Sequence, residues 1–180
     1  SDYWKIIDKK SRESFEYFIK SFKNIEVFDT PSYFKDIHKY HQIIHETDLA
    51  NNFGMYYKKY KTKLSKYMQT AIAKGNKHSA KEYAEAIDFK KRSYESYQEV
   101  FEDYHGVLTP SSPGVALKGL KNTGTAEFNK VWSYLGTPCI SLPLLEGENN
   151  LPLGVQLIGD RYDDHRFLGV ANWLEKECNN

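Results

Sequence analysis

The chain has 180 residues, 40% of them hydrophobic and 27% charged, with a formal net charge of +1. That is enough apolar material to bury the core of one ordinary domain, and the near balance of charge exerts no global pull toward nucleic acid or an anionic membrane. No apolar run is long enough to span a bilayer and no secretory leader opens the chain, whose first residues, Ser1-Asp2-Tyr3-Trp4-Lys5, read as a start inside a longer protein.

Ser11 to Phe22 reads as a helix, because Phe15, Phe18, Ile19 and Phe22 recur every three or four residues. Ile25 to Phe28 reads as a short strand ended by Asp29-Thr30-Pro31. Ser32 is placed to cap a helix running to about Asn52, with Phe34, Ile37, Tyr40, Ile44 and Leu49 as its stripe and Gly54 as its stop. Helices are expected over Tyr56 to Ala73 and Ser79 to Tyr104, the second opening on Ser79 and Glu82 at capping-box spacing.

The texture changes near Tyr104, from polar and rich in Lys and Tyr to rich in Gly and Pro with short apolar runs. Val107 to Thr109 reads as a buried strand. A glycine-containing loop and a helix from about Thr125 to Leu135 follow, with Gly136 as the stop. Cys139 to Leu144 and Gly154 to Ile158 read as strands joined by the polar loop Glu146 to Asn150. The last helix spans about Asp164 to Cys178, with Phe167, Leu168, Val170, Ala171 and Leu174 on one face. Residues 1–104 are therefore mostly helical and 105–180 run strand, helix, strand, strand, helix, which is an α/β or α+β order. Cys139 and Cys178 lie far apart without metal-like spacing; one disulfide stays open, and two reduced thiols is the favoured reading. With no Asn-x-Ser/Thr sequon either, the expected location is the cytoplasm.

From Gly106 to Glu175 the order and spacing of several short motifs carry a resemblance. They are Leu108-Thr109-Pro110, Asn122-Thr123-Gly124, Phe128-Asn129-x-x-Trp132, Leu135-Gly136-Thr137-Pro138, Leu142-Pro143 and Leu151 through Gly159, closed by Asp163-Asp164 and Leu174-Glu175. Together they resemble the end of the amidase-signature enzymes, and Tyr40-His41, Ile44 and Ala50-Asn51 extend the likeness loosely into the earlier helices. The resemblance implies an α/β fold, a mixed sheet flanked by helices, of which residues 1–180 are the C-terminal half. It also implies hydrolysis of a carboxamide C–N bond by a serine nucleophile, a second serine and a lysine base, with backbone N–H groups of a Gly/Ser-rich loop binding the oxyanion. That chemistry needs no cofactor. The loop is absent here: the one Ser-Ser pair, Ser111-Ser112, is flanked by Pro110 and Pro113, which lack backbone donors. No catalytic residue is therefore assigned to this chain.

What the resemblance leaves for this half is a pocket wall, with Ser112, Thr123, Ala126, Asn129 and Trp132 as substrate contacts; an aromatic ring among small and polar neighbours suits such a wall. The expected partners are a small amide substrate and the N-terminal half of the fold or a second copy, with no membrane.

Three other patterns compete for a role. His38, His41 and His45 share one helix face at metal-like spacing, but no closing ligand is in view and a histidine stripe at a core edge is the favoured reading. Asp103, His105 and Ser111 sit too close in sequence, with no strained turn beneath the serine, to make a hydrolase triad. Residues 56–92 hold eleven Lys and Arg against three acids, with Tyr56, Tyr57, Tyr60 and Tyr67 interleaved. Such a surface can meet phosphate backbones, and it keeps open a non-catalytic binding module or subunit that contacts RNA. A solvated lysine face is the simpler reading, and nucleic acid is not the expected partner.

Overall fold

The structure, a computed structural model, describes residues 2–179. The chain divides into two compact units. One comprises the residues up to Pro31 and those from Tyr97 onward; the other is Ser32–Ser96.

The first unit is built on a three-stranded sheet of β1 (Val107–Pro110), β2 (Cys139–Glu146) and β3 (Pro152–Ile158), in the order β1-β3-β2 with both pairings antiparallel. Side chains alternate between faces along each strand, so Leu108, Ile140, Leu142, Val155 and Leu157 share one face. Onto it pack α1 (Lys9–Lys20), through Phe15 and Phe18, and α6 (Asp164–Asn179), through Phe167, Ala171 and Leu174. β3 is central, which is why its consecutive residues Val155 to Ile158 are all buried and why it reads as an unbroken apolar run apart from Gln156. β2 is the longer outer strand, and its register shifts between Leu142 and Leu145, around Pro143. In α5 (Glu127–Leu135), Phe128, Val131, Trp132 and Leu135 are buried, and Gly136 closes the helix in the left-handed region at φ 71°.

The second unit is an all-helical assembly of α2 (Phe34–Tyr60), α3 (Lys66–Gly75) and the first part of α4 (Ala80–Asp103). The Ser79–Glu82 box forms as expected: the Glu82 carboxylate accepts from the Ser79 N–H at 2.7 Å, and the Glu82 N–H donates to Ser79 Oγ at 3.1 Å. At the centre of the unit the buried Glu46 carboxylate accepts from Gln42 Nε2 at 2.8 Å, lies 2.8 Å from His78 Nε2 and is 3.6 Å from Lys74 Nζ. Burial alone would raise the pKa of this carboxyl. The hydrogen bonds from Gln42 and His78 and the positive charge of Lys74 outweigh burial and hold it below its ordinary value. Gly75 makes the close approach of α3 to α2 possible, since a Cβ there would run into the Glu46 carbonyl.

Five expectations change. Ser32 does not cap its helix: α2 begins at Phe34 with Tyr33 at the cap position and no side-chain cap hydrogen bond. Ile25 to Phe28 forms no strand; no strand pairs with it, and side chains hold it instead, Phe28 stacked on Tyr104 at 6.0 Å and Glu26 accepting from the Tyr104 hydroxyl at 2.6 Å. Gly54 does not end its helix: α2 runs through to Tyr60, carrying the cost of about 1 kcal/mol for an interior glycine. The helix expected over Tyr56 to Ala73 is two helices, because Leu64 is extended and Ser65 starts a new one by accepting from the Met68 N–H at 3.2 Å. In α6, Leu168 is 55% exposed, because Phe167, Ala171 and Leu174 take the inward stripe and Leu168 lies one residue, about 100°, off it.

Candidate functional site

The strongest local constraint in the first unit lies where β1 ends and the chain turns toward α5. Ser111 is fixed at both ends: its backbone N–H and its hydroxyl both donate to the Gly154 carbonyl, at 3.1 and 3.0 Å. Its carbonyl accepts a long bond from Asn129 Nδ2 at 3.4 Å, which ties α5 to the turn. The Ser112 hydroxyl donates to the Gly114 carbonyl at 2.6 Å, and the Asp8 N–H donates to the Pro113 carbonyl at 2.8 Å. Asp8 also caps α1, its carboxylate accepting from the N–H and hydroxyl of Ser11 at 2.8 and 2.7 Å. The turn is thus clamped between the sheet and the start of α1.

Gly154 is the pivot. A Cβ there would collide with the hydroxyls of both Ser111 and Ser141, so the absent side chain is what lets Ser111, just past β1, and Ser141 of β2 converge over β3. The neighbouring Gln156 is 5% exposed and lies in register with Thr109 on one side and Ser141 on the other. The result is a polar row on the sheet face opposite the apolar core. It can accept and donate hydrogen bonds, and the Ser111 hydroxyl spends its proton on the Gly154 carbonyl. Among the described residues no hydrogen bond links Asp103, His105 and Ser111.

The residues expected to meet substrate are distributed unevenly. Asn129 and Ser112 are half-buried and belong to the clamped turn or touch it. Thr123 and Ala126 are exposed on the segment leading into α5. Trp132 lies in the interior at 4% exposure, its ring 5.5 Å from that of Tyr97. Sequence reasoning missed Asp8, Gly154 and Ser141. Only Gly154, inside the quoted Leu151 to Gly159 motif, carried any signal.

The histidines of α2 have other occupations: His45 Nε2 is 2.9 Å from the Tyr67 hydroxyl and the His41 and His45 rings stack at 5.9 Å. Among the described residues no group of three or more His, Cys, Asp or Glu side chains is arranged to hold a metal ion, Cys139 and Cys178 form no disulfide, and no helix is long and apolar enough to cross a membrane.

Comparison with known proteins places this architecture. A Glutamyl-tRNA(Gln) amidotransferase subunit from Alkaliphilus metalliredigens is 35% identical over 102 residues, 53% of this chain and 21% of that protein. Its counterpart in Thermotoga maritima is 32% identical over 100 residues, 52% of this chain and 21% of that one. The matched stretch thus spans about a fifth of these curated relatives. Among solved structures, a crystal structure of an amidase superposes with a TM-score of 0.83 at 18% identity, covering 98% of this chain and 44% of the other. A 6-aminohexanoate cyclic dimer hydrolase superposes at 0.70 with 15% identity, covering 96% of this chain and 42% of the other. The family model Amidase matches residues 5–168, and the chain belongs to the amidase family.

Proposed function

We propose that the chain is the C-terminal part of an amidase-family hydrolase cleaving a carboxamide C–N bond, and that it contributes scaffold and pocket wall while the lysine and serines of catalysis lie in the other half of the fold. The observation that carries this reading is the clamped turn: Ser111, tied to Gly154 and to Asn129, fixes the β1–α5 connection within the stretch that the family model matches. Ser112, Thr123, Ala126 and Asn129 then form the wall that an amide substrate meets, backed by Trp132. A polar wall of hydroxyl and carboxamide groups orients an amide by hydrogen bonding and leaves the chemistry to groups across the cleft. The family match favours this reading over a free-standing RNA-binding module.

The partner that completes the site is the N-terminal half of the same fold, supplied by the same polypeptide or by a second chain in the cytoplasm. Among the described residues the outer edges of β1 and β2 have no strand neighbour, the positions at which a sheet is extended.

The test is a pair of assays on simple aryl amides and esters. The 180-residue chain alone gives background hydrolysis, and the chain joined to or coexpressed with an amidase N-terminal half turns substrate over. In the complete protein Asn129→Ala lowers kcat/KM about tenfold or more, the loss of one orienting hydrogen bond. Turnover by the isolated chain that disappears on Ser111→Ala or Ser112→Ala overturns the reading.

A further inference from the structure

The charge of the chain is nearly balanced overall but not locally. From Leu49 to Lys81 there is no Asp or Glu, and this stretch carries eight lysines. In the helical unit part of it folds around a concavity of about 410 Å³, open to solvent and lined by Tyr57, Lys61, Lys66, Gln69, Thr70 and Lys74 with Ala73 and Lys77 beside them. No carboxylate lines it. Of its four lysines only Lys74 has an acidic partner, Glu46 at 3.6 Å, and that carboxylate is already engaged by Gln42 and His78. Among the described residues Lys61, Lys66 and Lys77 pair with no acid. Lys61 instead sits 5.1 Å from the centre of the Tyr57 ring, which holds an aromatic face and an ammonium at the same rim.

We propose that this concavity binds a small ligand carrying two or more adjacent phosphate groups. Four ammonium groups around one hollow, three of them without an acidic partner among the described residues, repel one another and are relieved by a compact polyanion, whose dense charge no single carboxylate matches. Gln69 and Thr70 add neutral polar groups to the wall. The hollow lies open to solvent, which suits a charged ligand held by its charge, and it contains one aromatic ring rather than the row of stacking platforms that a nucleic-acid strand uses. The site belongs to the helical unit, draws on none of the residues assigned to the amide pocket, and stands or falls independently of the hydrolase reading.

The experiment is calorimetric titration of the chain with inorganic tripolyphosphate at about 150 mM salt, near physiological ionic strength, on the wild type and on two double variants. Lys66→Gln/Lys77→Gln removes two unpaired charges from the hollow, and Lys58→Gln/Lys59→Gln removes two from outside it. The expected result is saturable binding at one site per chain, weakened about tenfold or more by the first pair and unchanged by the second. Circular dichroism of both variants separates loss of binding from loss of fold. Absence of saturable binding overturns the proposal, and so does equal weakening by the two pairs, which would mean diffuse charge. A short single-stranded oligonucleotide that displaces tripolyphosphate at far lower concentration overturns the small-ligand assignment.

Discussion

The two units hold themselves together in different ways. In the sheet unit the central strand β3 is buried along Val155 to Ile158, and packing against Phe15, Phe18, Phe167 and Leu174 fixes the strand faces. The helical unit keeps apolar contacts such as Ile37 and Ile72, both fully buried, but places an ionised carboxylate between α2 and α3. An apolar sheet core fixes register, because a slip of one residue turns every inward side chain outward. In the helical unit a hydrogen-bonded charge with matched partners adds a directional constraint to the apolar packing.

The largest effect is expected from Leu157→Ala, a fully enclosed side chain in the sheet core, at about 2–5 kcal/mol. Denaturant unfolding measures the loss, and hydrogen exchange should show it in the strands before the helical unit. Next is Gly75→Ala, which drives a methyl into the Glu46 carbonyl and should cost about 3 kcal/mol, the upper end for overpacking, because a backbone atom cannot step aside. Faster exchange confined to α2 and α3 would show that the two units fail separately. Equal acceleration in β3 would erase the distinction between them.

Glu46→Gln removes the charge at the clasp and should cost about 2 kcal/mol at neutral pH. A carboxyl whose folded pKa is depressed contributes its stability above its unfolded value, near 4.5, and loses it as pH falls through the lower folded value. Melting temperatures of wild type and Glu46→Gln should therefore differ near neutral pH and converge in acid below that window. Parallel curves would mean that the carboxylate is not the fastening element. The smallest effect is that of Ser79→Ala, about 1 kcal/mol for the lost cap, read as fraying at the start of α4.

The same contrast governs what could be read from sequence. The sheet unit is punctuated: Pro110, Gly136 and the Gln156-containing run bound their elements to within a residue or two, since a turn or a strand end demands a particular backbone. The helical unit is lysine- and tyrosine-rich on most faces, so its periodicity located helices but not their ends. A single glycine such as Gly54 weakens a helix without ending it, and the cap that divides α2 from α3 is Ser65, one serine among many in the chain. For the candidate site, motif order led to Asn129 and Ser112. The contacts that hold them, Asp8 on Pro113 and Ser111 on Gly154, join residues more than forty positions apart and leave no local trace. Trp132 illustrates the remaining limit: spacing of three from Asn129 puts both on neighbouring turns, yet only the tertiary contact with Tyr97 decides that the ring is enclosed.

The register shift at Pro143 has a further consequence, for what this sheet can recruit. An unpaired outer strand templates fibril growth when it is long, straight and free to donate along its length. β1 spans only four residues and ends in Pro110, and β2 is broken between Leu142 and Leu145 beside a residue with no backbone donor. Neither edge offers an incoming strand more than about four consecutive ladder positions. The sheet can be completed by a short, matched neighbour within a folded domain, while indiscriminate self-stacking of chains released from synthesis or from a partner finds no continuous rail to grow along.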